Sequence, residues 1–188
     1  MTNDISGTAT AAPLPIAPGQ WAMDPFHSAV NFTIRHLGIA KVRGRFGGVR
    51  AELFVGERVE DVRVSATIDL ASIDTGNADR DAHVRASDLL DVAKRPTMTY
   101  RSTRVWGDGQ DWTMEGELTI GDVTRPVTLA VEFGGLGAMT AGGDGRHAGF
   151  EATGEIRRSE FGLDFAPGLL GEVVRLQLDM QFVEPAAA

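Results

Sequence analysis

The chain has 188 residues, a formal net charge of −8 and no cysteine. This length predicts one domain with enough chain to bury a sizeable core, and no apolar run approaches the roughly 20 residues of a membrane-spanning helix. The acidic balance and the absence of a basic run argue against a nucleic-acid-binding surface, and the missing cysteines exclude disulfides, thiolate catalysis and cysteine-based metal sites.

The first 19 residues are rich in Thr, Ala and Pro and contain neither a basic start nor a continuous apolar segment. We therefore predict a flexible N-terminal arm over residues 1–19, no secretory signal, and a cytoplasmic location. The predicted domain covers residues 20–184, and residues 185–188 form a C-terminal tail.

The segment from Phe26 to His36 alternates between apolar and polar residues. Side chains on a strand point to opposite faces with period two, so the pattern predicts a half-buried strand with one apolar face. That face ends in His36. A histidine at this place is either a core residue with a hydrogen-bond partner or a polar group at the end of a binding lumen, and both interpretations stay open.

The next segments continue this pattern with one interruption. The alternation of Val42–Phe46 changes phase at Gly47-Gly48, which predicts a bend in one long strand. Val62–Leu70 alternates cleanly and predicts a strand packed on one face. Residues 77–84 lack alternation and predict a short helix, and Ser87 is the predicted N-cap of a second helical turn.

The clearest hairpin joins a strand over residues 112–120 to a strand over residues 127–133. Between them Gly121-Asp122 predicts a type II′ turn. The glycine-rich segment 134–145 is predicted to be a mobile loop.

Further alternating segments follow Pro96 and close the chain, at residues 98–102, 150–158 and 172–182. About eight strands with one helical insertion predict an all-β antiparallel barrel or sandwich.

Three of these strands carry an ionisable residue at the end of their apolar face: His36, Arg158 and Glu172. Burying an arginine or a glutamate costs several kcal/mol unless it is paired, so one interpretation is an Arg158–Glu172 ion pair that caps the barrel. The other is a polar end that receives a ligand's head group while its tail lies in the apolar lumen. The two interpretations can both hold.

Other functional sites are less well supported. His27, His36, His83 and His147 lack the i, i+4 spacing of a helical zinc motif, so no metal site is expected. No nucleophile motif appears, and the chain is not predicted to be an enzyme. Two alternatives remain: an enzyme acting on a hydrophobic substrate with His36 or His83 as general base, and a packed dimeric barrel with a structural role.

Short motifs occur in order along the predicted domain: Asp24-Pro25-x-His27-Ser28, His36-Leu37-Gly38, Arg80-Asp81-x-His83, Gly116-x-Leu118-Thr119-Ile120 and Arg158-Ser159-x-Phe161-Gly162-Leu163. Together they resemble the YceI-like family of bacterial lipid-binding proteins, from Trp21 to about Val183. The resemblance implies an eight-stranded, lipocalin-like antiparallel barrel that stores or transports an isoprenoid quinone or a prenyl pyrophosphate, without catalysis or a cofactor. It also implies a homodimer. Many family members carry a secretory signal, and this chain departs from them.

The resemblance also implies which residues bind the ligand. The apolar lumen would be formed by Phe32, Ile34, Phe46, Val64, Ile68, Met98, Tyr100, Leu118, Leu129, Val131, Ile156, Leu176, Leu178 and Met180. The polar end would be formed by His36, Asp81, His83, Arg158 and Glu172.

Overall fold

The computed structural model describes residues 14–138 and 145–185. These residues form one α-helix, α1 (Ala78–Arg85), three short 3₁₀ helices and a single sheet. The strands are β1 (Gly19–Met23), β2 (Ala29–His36), β3 (Ala40–Phe46), β4 (Val49–Val55), β5 (Arg63–Asp69), β6 (Ile73–Asp74), β7 (Thr97–Asp108), β8 (Asp111–Ile120), β9 (Val123–Ala138), β10 (Arg146–Arg157) and β11 (Leu170–Val183).

The sheet closes on itself through antiparallel pairs. The ring runs β1–β4–β5–β7–β8–β9–β10–β11 and returns to β1, where Ala22 lies opposite Val183. β2 continues β1 along the same side of β11. β3 pairs with β2 and continues into β4, and β6 pairs with β3 and continues β5. The barrel therefore consists of eight long strands, three of which are interrupted. The predicted eight-stranded antiparallel barrel with one helical insertion is confirmed.

Two predicted backbone features are present. β3 ends at Phe46 and β4 begins at Val49, so the Gly47-Gly48 pair interrupts one long strand as predicted. An ideal Cβ on Gly48 would lie 2.9 Å from Cβ of Asp69, so a larger residue would collide with the next strand. The hairpin of β8 and β9 turns at Gly121-Asp122, and the φ of +63° at Gly121 agrees with a type II′ turn.

The start of the first predicted strand is wrong by three residues. Phe26 is 90% exposed and lies outside β2, which begins at Ala29. The reason is a local turn, because Asp24 accepts a hydrogen bond from the backbone N–H of Phe26 at 2.9 Å. An aspartate that bonds the backbone two residues on favours a turn over a continuous strand.

The last part of the predicted N-terminal arm belongs to the folded domain. Residues 1–13 lie outside the described residues, but the chain packs on the barrel from Leu14 onward. Ile16 is buried in the core, and the indole N–H of Trp21 donates to the carbonyl of Ala17 at 2.9 Å. Residues 14–19 are therefore part of the folded domain, which corrects the predicted boundary.

Two other predicted segments also differ. Residues 134–138 continue β9 and are no loop, while residues 139–144 lie outside the described ranges. Ser87 does not begin a helix. Residues 87–90 form a hydrogen-bonded turn in which the carbonyl of Ala86 accepts the N–H groups of Leu89 and Asp91, and α1 is itself capped by Asn77.

One end of the barrel is closed by aromatic side chains. Trp112 stacks on Phe133 with centroids 6.1 Å apart, and Phe150 contacts both rings and Phe182. All four are buried, and burial of a large apolar side chain stabilises a fold by about 1.5–3 kcal/mol. This aromatic cluster forms the floor of the barrel.

Candidate functional site: the barrel lumen and its mouth

The interior of the barrel holds a cavity of about 510 Å³. This volume lies in the range of roughly 300–1,000 Å³ that is usual for small-molecule sites. Val30 and His36 both line it and lie six residues apart on β2, so the cavity extends along about 20 Å of strand. An elongated slot of this kind accommodates a chain-like molecule.

The fourteen residues implied for the apolar lumen all line this cavity. They are Phe32, Ile34, Phe46, Val64, Ile68, Met98, Tyr100, Leu118, Leu129, Val131, Ile156, Leu176, Leu178 and Met180. Strand alternation is the reason, since residues of one parity point to one face of a closed sheet.

The two sides of the cavity differ in how well the protein covers them. On β8 and β9, Leu118 and Leu129 are buried against neighbouring side chains. On β2 and β11, Ile34 and Leu176 face the cavity but are only half-buried. Apolar interior surface is therefore left uncovered on one side, and a hydrophobic ligand would gain free energy by covering it.

Glycines make room for the larger side chains of the interior. An ideal Cβ on Gly44 would lie 2.7 Å from Cε1 of Phe32, its partner across β2 and β3. Gly154 stands in the same relation to Leu129, with an ideal Cβ 2.7 Å from Cδ2. The alternation of small and large residues thus shapes the lumen.

Sequence reasoning missed several lining residues. Trp112, Met114, Phe150 and Phe182 line the closed end, and they lie on apolar faces that the alternation already indicated. Leu89 and Leu90 also line the cavity. They belong to the irregular insertion after α1, where no periodicity indicates which side chains face inward.

Three segments meet at the end opposite the aromatic floor, and we call this end the mouth. They are the end of β2 at His36, helix α1 with Arg80 and His83, and the loop before β11 with Phe165 and Leu169. These five residues all line the cavity. The polar end that the sequence indicated therefore lies at the mouth.

Arg158 is buried near the mouth, with 5% of its surface exposed. Its Nε donates to the carbonyl of Gly171 at 2.9 Å, and its terminal nitrogens donate to the carbonyls of Leu163 and Leu170. These bonds compensate for much of the cost of burying the charge. The expected Arg158–Glu172 ion pair is wrong, because no such pair is present among the described residues within 4.0 Å.

Glu172 and Asp81 do not line the cavity, which corrects the implied polar end. Glu172 accepts hydrogen bonds from the hydroxyl and the backbone N–H of Ser159, and these bonds hold the pKa of its carboxyl below its usual value. Asp81 is buried and accepts from the backbone N–H of Thr75 at 3.0 Å and from the Thr75 hydroxyl. Both carboxylates anchor segments around the mouth.

The two histidines of the mouth have different surroundings. Nε2 of His83 lies 3.0 Å from a carboxylate oxygen of Asp88, and this hydrogen bond lowers the pKa of Asp88. The His83 ring also packs edge-on against Phe165, with centroids 5.2 Å apart. The His36 side chain makes no hydrogen bond within the described ranges. It lines the cavity and is therefore free to contact a ligand.

The charged side chains that line the mouth are cationic. The guanidinium of Arg80 donates to the hydroxyl of Thr75 at 2.7 Å and to its carbonyl at 2.8 Å, and Arg158 lies nearby in the wall. No Asp or Glu among the described residues lines this cavity. At this end, cations face the cavity and the carboxylates of Asp81 and Glu172 lie outside its lining.

The part of the chain that the structure describes contains no cluster of potential metal ligands. No group of three His, Asp or Glu side chains comes together there as a metal site. No helix in these residues is long and apolar enough to cross a bilayer.

The comparison with known proteins gives a consistent family assignment. The family model for the YceI-like domain matches residues 21–182. A UPF0312 protein of Enterobacter sp. (strain 638) is 38% identical over 159 residues, which cover 84% of this chain and 82% of that protein. Protein YceI of Escherichia coli O17:K52:H18 is 37% identical with the same coverage.

Solved structures show the same architecture. A YCEI protein of Campylobacter jejuni aligns with a TM-score of 0.72 at 28% identity and covers 81% of this chain and 90% of that one. A polyisoprenoid binding domain from Saccharophagus degradans aligns with a TM-score of 0.65 at 14% identity, over 90% of this chain and all of that domain. At 14% identity this second likeness shows the fold alone.

Proposed function

Since the chain belongs to the YceI-like family, we propose that it binds a long isoprenoid lipid in the barrel lumen and stores or transports it without chemical change. The observation that carries this proposal is the elongated cavity whose apolar lining is only half covered by protein, as at Ile34 and Leu176. Each CH₂ group moved from water into such a lumen contributes about 0.8 kcal/mol. The apolar wall binds the tail with little selectivity, and selectivity comes from the mouth.

The head group in this proposal carries hydrogen-bond acceptors and lies at the mouth. Arg158 has five N–H groups and uses three of them on backbone carbonyls, so two remain to donate to a ligand. Arg80 and His36 line the same end of the cavity. A quinone carbonyl and a pyrophosphate both satisfy this chemistry, so these two classes are the proposed ligands.

The test is extraction of the purified full-length protein with organic solvent, followed by mass spectrometry of the extract. A stoichiometric isoprenoid is the expected result, and its mass identifies the head group. An empty extract after expression in a bacterial host, together with no uptake of added ubiquinone or farnesyl pyrophosphate, contradicts the proposal.

An enzyme remains the second candidate because His83 is oriented by Asp88, as a general base often is by a carboxylate. His36→Ala and His83→Ala distinguish the two candidates. A carrier keeps its bound lipid in both variants and returns it chemically unchanged. An enzyme converts its substrate over time in the wild-type protein and loses that conversion in one of the variants, with binding largely kept.

A further inference from the structure

The turn between β2 and β3 exposes apolar side chains beside the mouth. Leu37 is 53% exposed and Ile39 is 81% exposed, although the adjoining His36 lines the cavity. The backbone N–H of Leu37 donates to the carbonyl of Leu169 at 2.7 Å, and Leu169 is itself 40% exposed. Leu37, Ile39 and Leu169 thus form one protruding group, which we call the apolar tip.

The backbone at this tip is unfavourable for the residue it carries. Leu37 has a φ of +52° and Gly38 a φ of +72°, and the N–H of Ile39 closes the turn on the carbonyl of His36 at 3.1 Å. Asn or Gly adopts the first of these positions more readily than leucine, whose Cβ is crowded in the left-handed region. An exposed leucine held in a strained conformation at the edge of a cavity indicates that the side chain acts on something outside the chain.

The segment that carries the tip, from the turn before β2 to the start of β4, is strongly basic. Residues 25–51 contain five cations and no Asp or Glu, a formal charge of +5 in a chain of −8. The cations are Arg35, Lys41, Arg43, Arg45 and Arg50, and all are exposed. Within the described residues, only Arg45 among them forms an ion pair, with Asp74. Arg35 and Lys41 lie opposite each other one position below the turn, so their charge is next to the apolar tip.

We propose that the β2–β3 hairpin docks the mouth onto an anionic lipid bilayer. The apolar tip enters the boundary between head groups and acyl chains, while Arg35, Lys41 and Arg43 meet the lipid phosphates. Apolar side chains flanked by Lys and Arg are the combination that holds proteins at the surface of an anionic bilayer. The docked state places the opening at His36 against the membrane, so a lipid tail passes between bilayer and lumen without crossing water. This transfer step rests on the proposed function, and docking itself does not.

The placement of the other exposed apolar residues distinguishes this site. Phe26 lies in the break between β1 and β2, next to the C-terminal part of β11 and therefore at the far end of the barrel from Leu169. Phe54 and Leu136 also lie toward that end, on β4 and β9. A protruding convex tip with adjacent cations at the opening of an apolar cavity favours a bilayer surface over a protein groove.

The test is sedimentation of the full-length protein with phosphatidylcholine vesicles and with vesicles of equimolar phosphatidylcholine and phosphatidylglycerol. We expect binding to the anionic vesicles that weakens as salt is added. Lys41→Gln with Arg43→Gln should lower the affinity by at least about tenfold, because each cation near an anionic surface contributes roughly fivefold. Leu37→Asn with Ile39→Ser should lower it similarly, and asparagine suits the left-handed turn, so this variant keeps its fold.

The matched controls are Phe26→Ser, an exposed apolar residue at the far end, and Arg101→Gln, an exposed cation on β7. Both should bind as the wild type does. The proposal is overturned if the wild-type protein ignores anionic vesicles, if tip and control variants bind equally, or if Phe26→Ser alone removes binding. Lipid extraction distinguishes the failure of one proposal from the failure of the other. Tip variants that retain isoprenoid but no longer bind vesicles support both proposals. A wild-type protein that binds vesicles but holds no isoprenoid supports docking and contradicts the carrier function.

Discussion

At the scale of single residues, the buried guanidinium of Arg158 determines the geometry of the mouth. It connects the turn after β10 to the start of β11 through the carbonyls of Leu163, Leu170 and Gly171. Without it three buried or half-buried carbonyls lose a charged donor. Arg158 therefore stabilises the fold at the mouth whether or not a ligand is bound.

We expect Arg158→Met to lower the free energy of unfolding by about 3 kcal/mol or more, because hydrogen bonds to charged groups contribute about 1.5–3 kcal/mol each. Arg158→Lys keeps the charge but loses the planar fork, so its loss should be smaller. Urea unfolding measures both. Arg157→Met is the control, since the Arg157 side chain is exposed and makes no hydrogen bond within the described ranges, and the change should alter stability by no more than about 0.5 kcal/mol. Equal losses at the two positions would contradict this role.

A second residue, Asp24, makes stability depend on pH. It is buried, and its carboxylate accepts from His27 Nδ1 at 2.7 Å, which is the main reason that its pKa lies below the ordinary value of 3.8. Because the pKa of Asp24 is lower in the folded than in the unfolded protein, its ionised carboxylate stabilises the fold. This stabilisation is complete at pH values above the ordinary pKa and is lost as the pH falls through the lowered pKa.

The wild-type protein should therefore lose stability relative to Asp24→Asn as the pH is lowered from about 5 to below the lowered pKa of Asp24, and the difference between the two proteins should stay constant above about pH 5. Urea unfolding across this range measures both proteins. The difference between them isolates Asp24 from the other carboxyls with lowered pKa values, such as Glu172 and Glu184. Parallel stability curves would show that Asp24 does not contribute to acid unfolding.

At the scale of elements, paired strands fit together through small residues inside the barrel. Gly116 on β8 is buried below the ring of Tyr100 on β7, and an ideal Cβ there would lie 2.6 Å from the carbonyl oxygen of Arg101. The backbone cannot yield without disturbing the β7–β8 pairing. The same ring is buried deeply enough to raise the pKa of the Tyr100 hydroxyl, so it stays neutral in the lumen.

Gly116→Ala should consequently cost about 1–3 kcal/mol of unfolding free energy, the usual range for overpacking. Gly149→Ala on β10 is the control, because nothing lies within 4 Å of an added Cβ there. Thermal and urea unfolding of the two variants measure the difference. A Gly116→Ala protein as stable as the control would mean that Tyr100 repacks freely.

At the scale of the whole molecule, closure of the sheet leaves an apolar space that its own side chains do not fill. The alternative hypothesis of a packed barrel with a structural role does not agree with this cavity of about 510 Å³. In a filled lumen Ile34 and Leu176 would be buried as fully as Leu118. Both are instead only half-buried.

Leu176→Trp should block this lumen and lower isoprenoid binding at least about tenfold, because the added indole occupies the space of the tail. Gln177→Trp is the matched control. It is the next residue on β11 and is exposed on the outer face, so binding should not change. Uptake of added ubiquinone by the purified variants measures both. Equal uptake by the two proteins would place the ligand outside the lumen.

Which side chains face inward could be predicted from the local pattern of the strands. Period-two alternation is a property of the local backbone, so the inward positions of Phe32, Leu118 and Leu176 were predictable, as was the turn at Gly121. Motif resemblance added the family and the barrel.

The composition of the mouth and the closure of the barrel depend on contacts between segments that are distant in sequence. The pairing of β1 with β11 joins chain ends about 160 residues apart, and no local pattern encodes it. Arg158 and Glu172 occupy equivalent positions in the sequence pattern. Arg158 nevertheless lines the cavity, whereas Glu172 lies outside the lining and accepts a hydrogen bond from Ser159. Side-chain direction at a strand end depends on the turn that follows and on the elements packed there, and these are properties of the assembled chain.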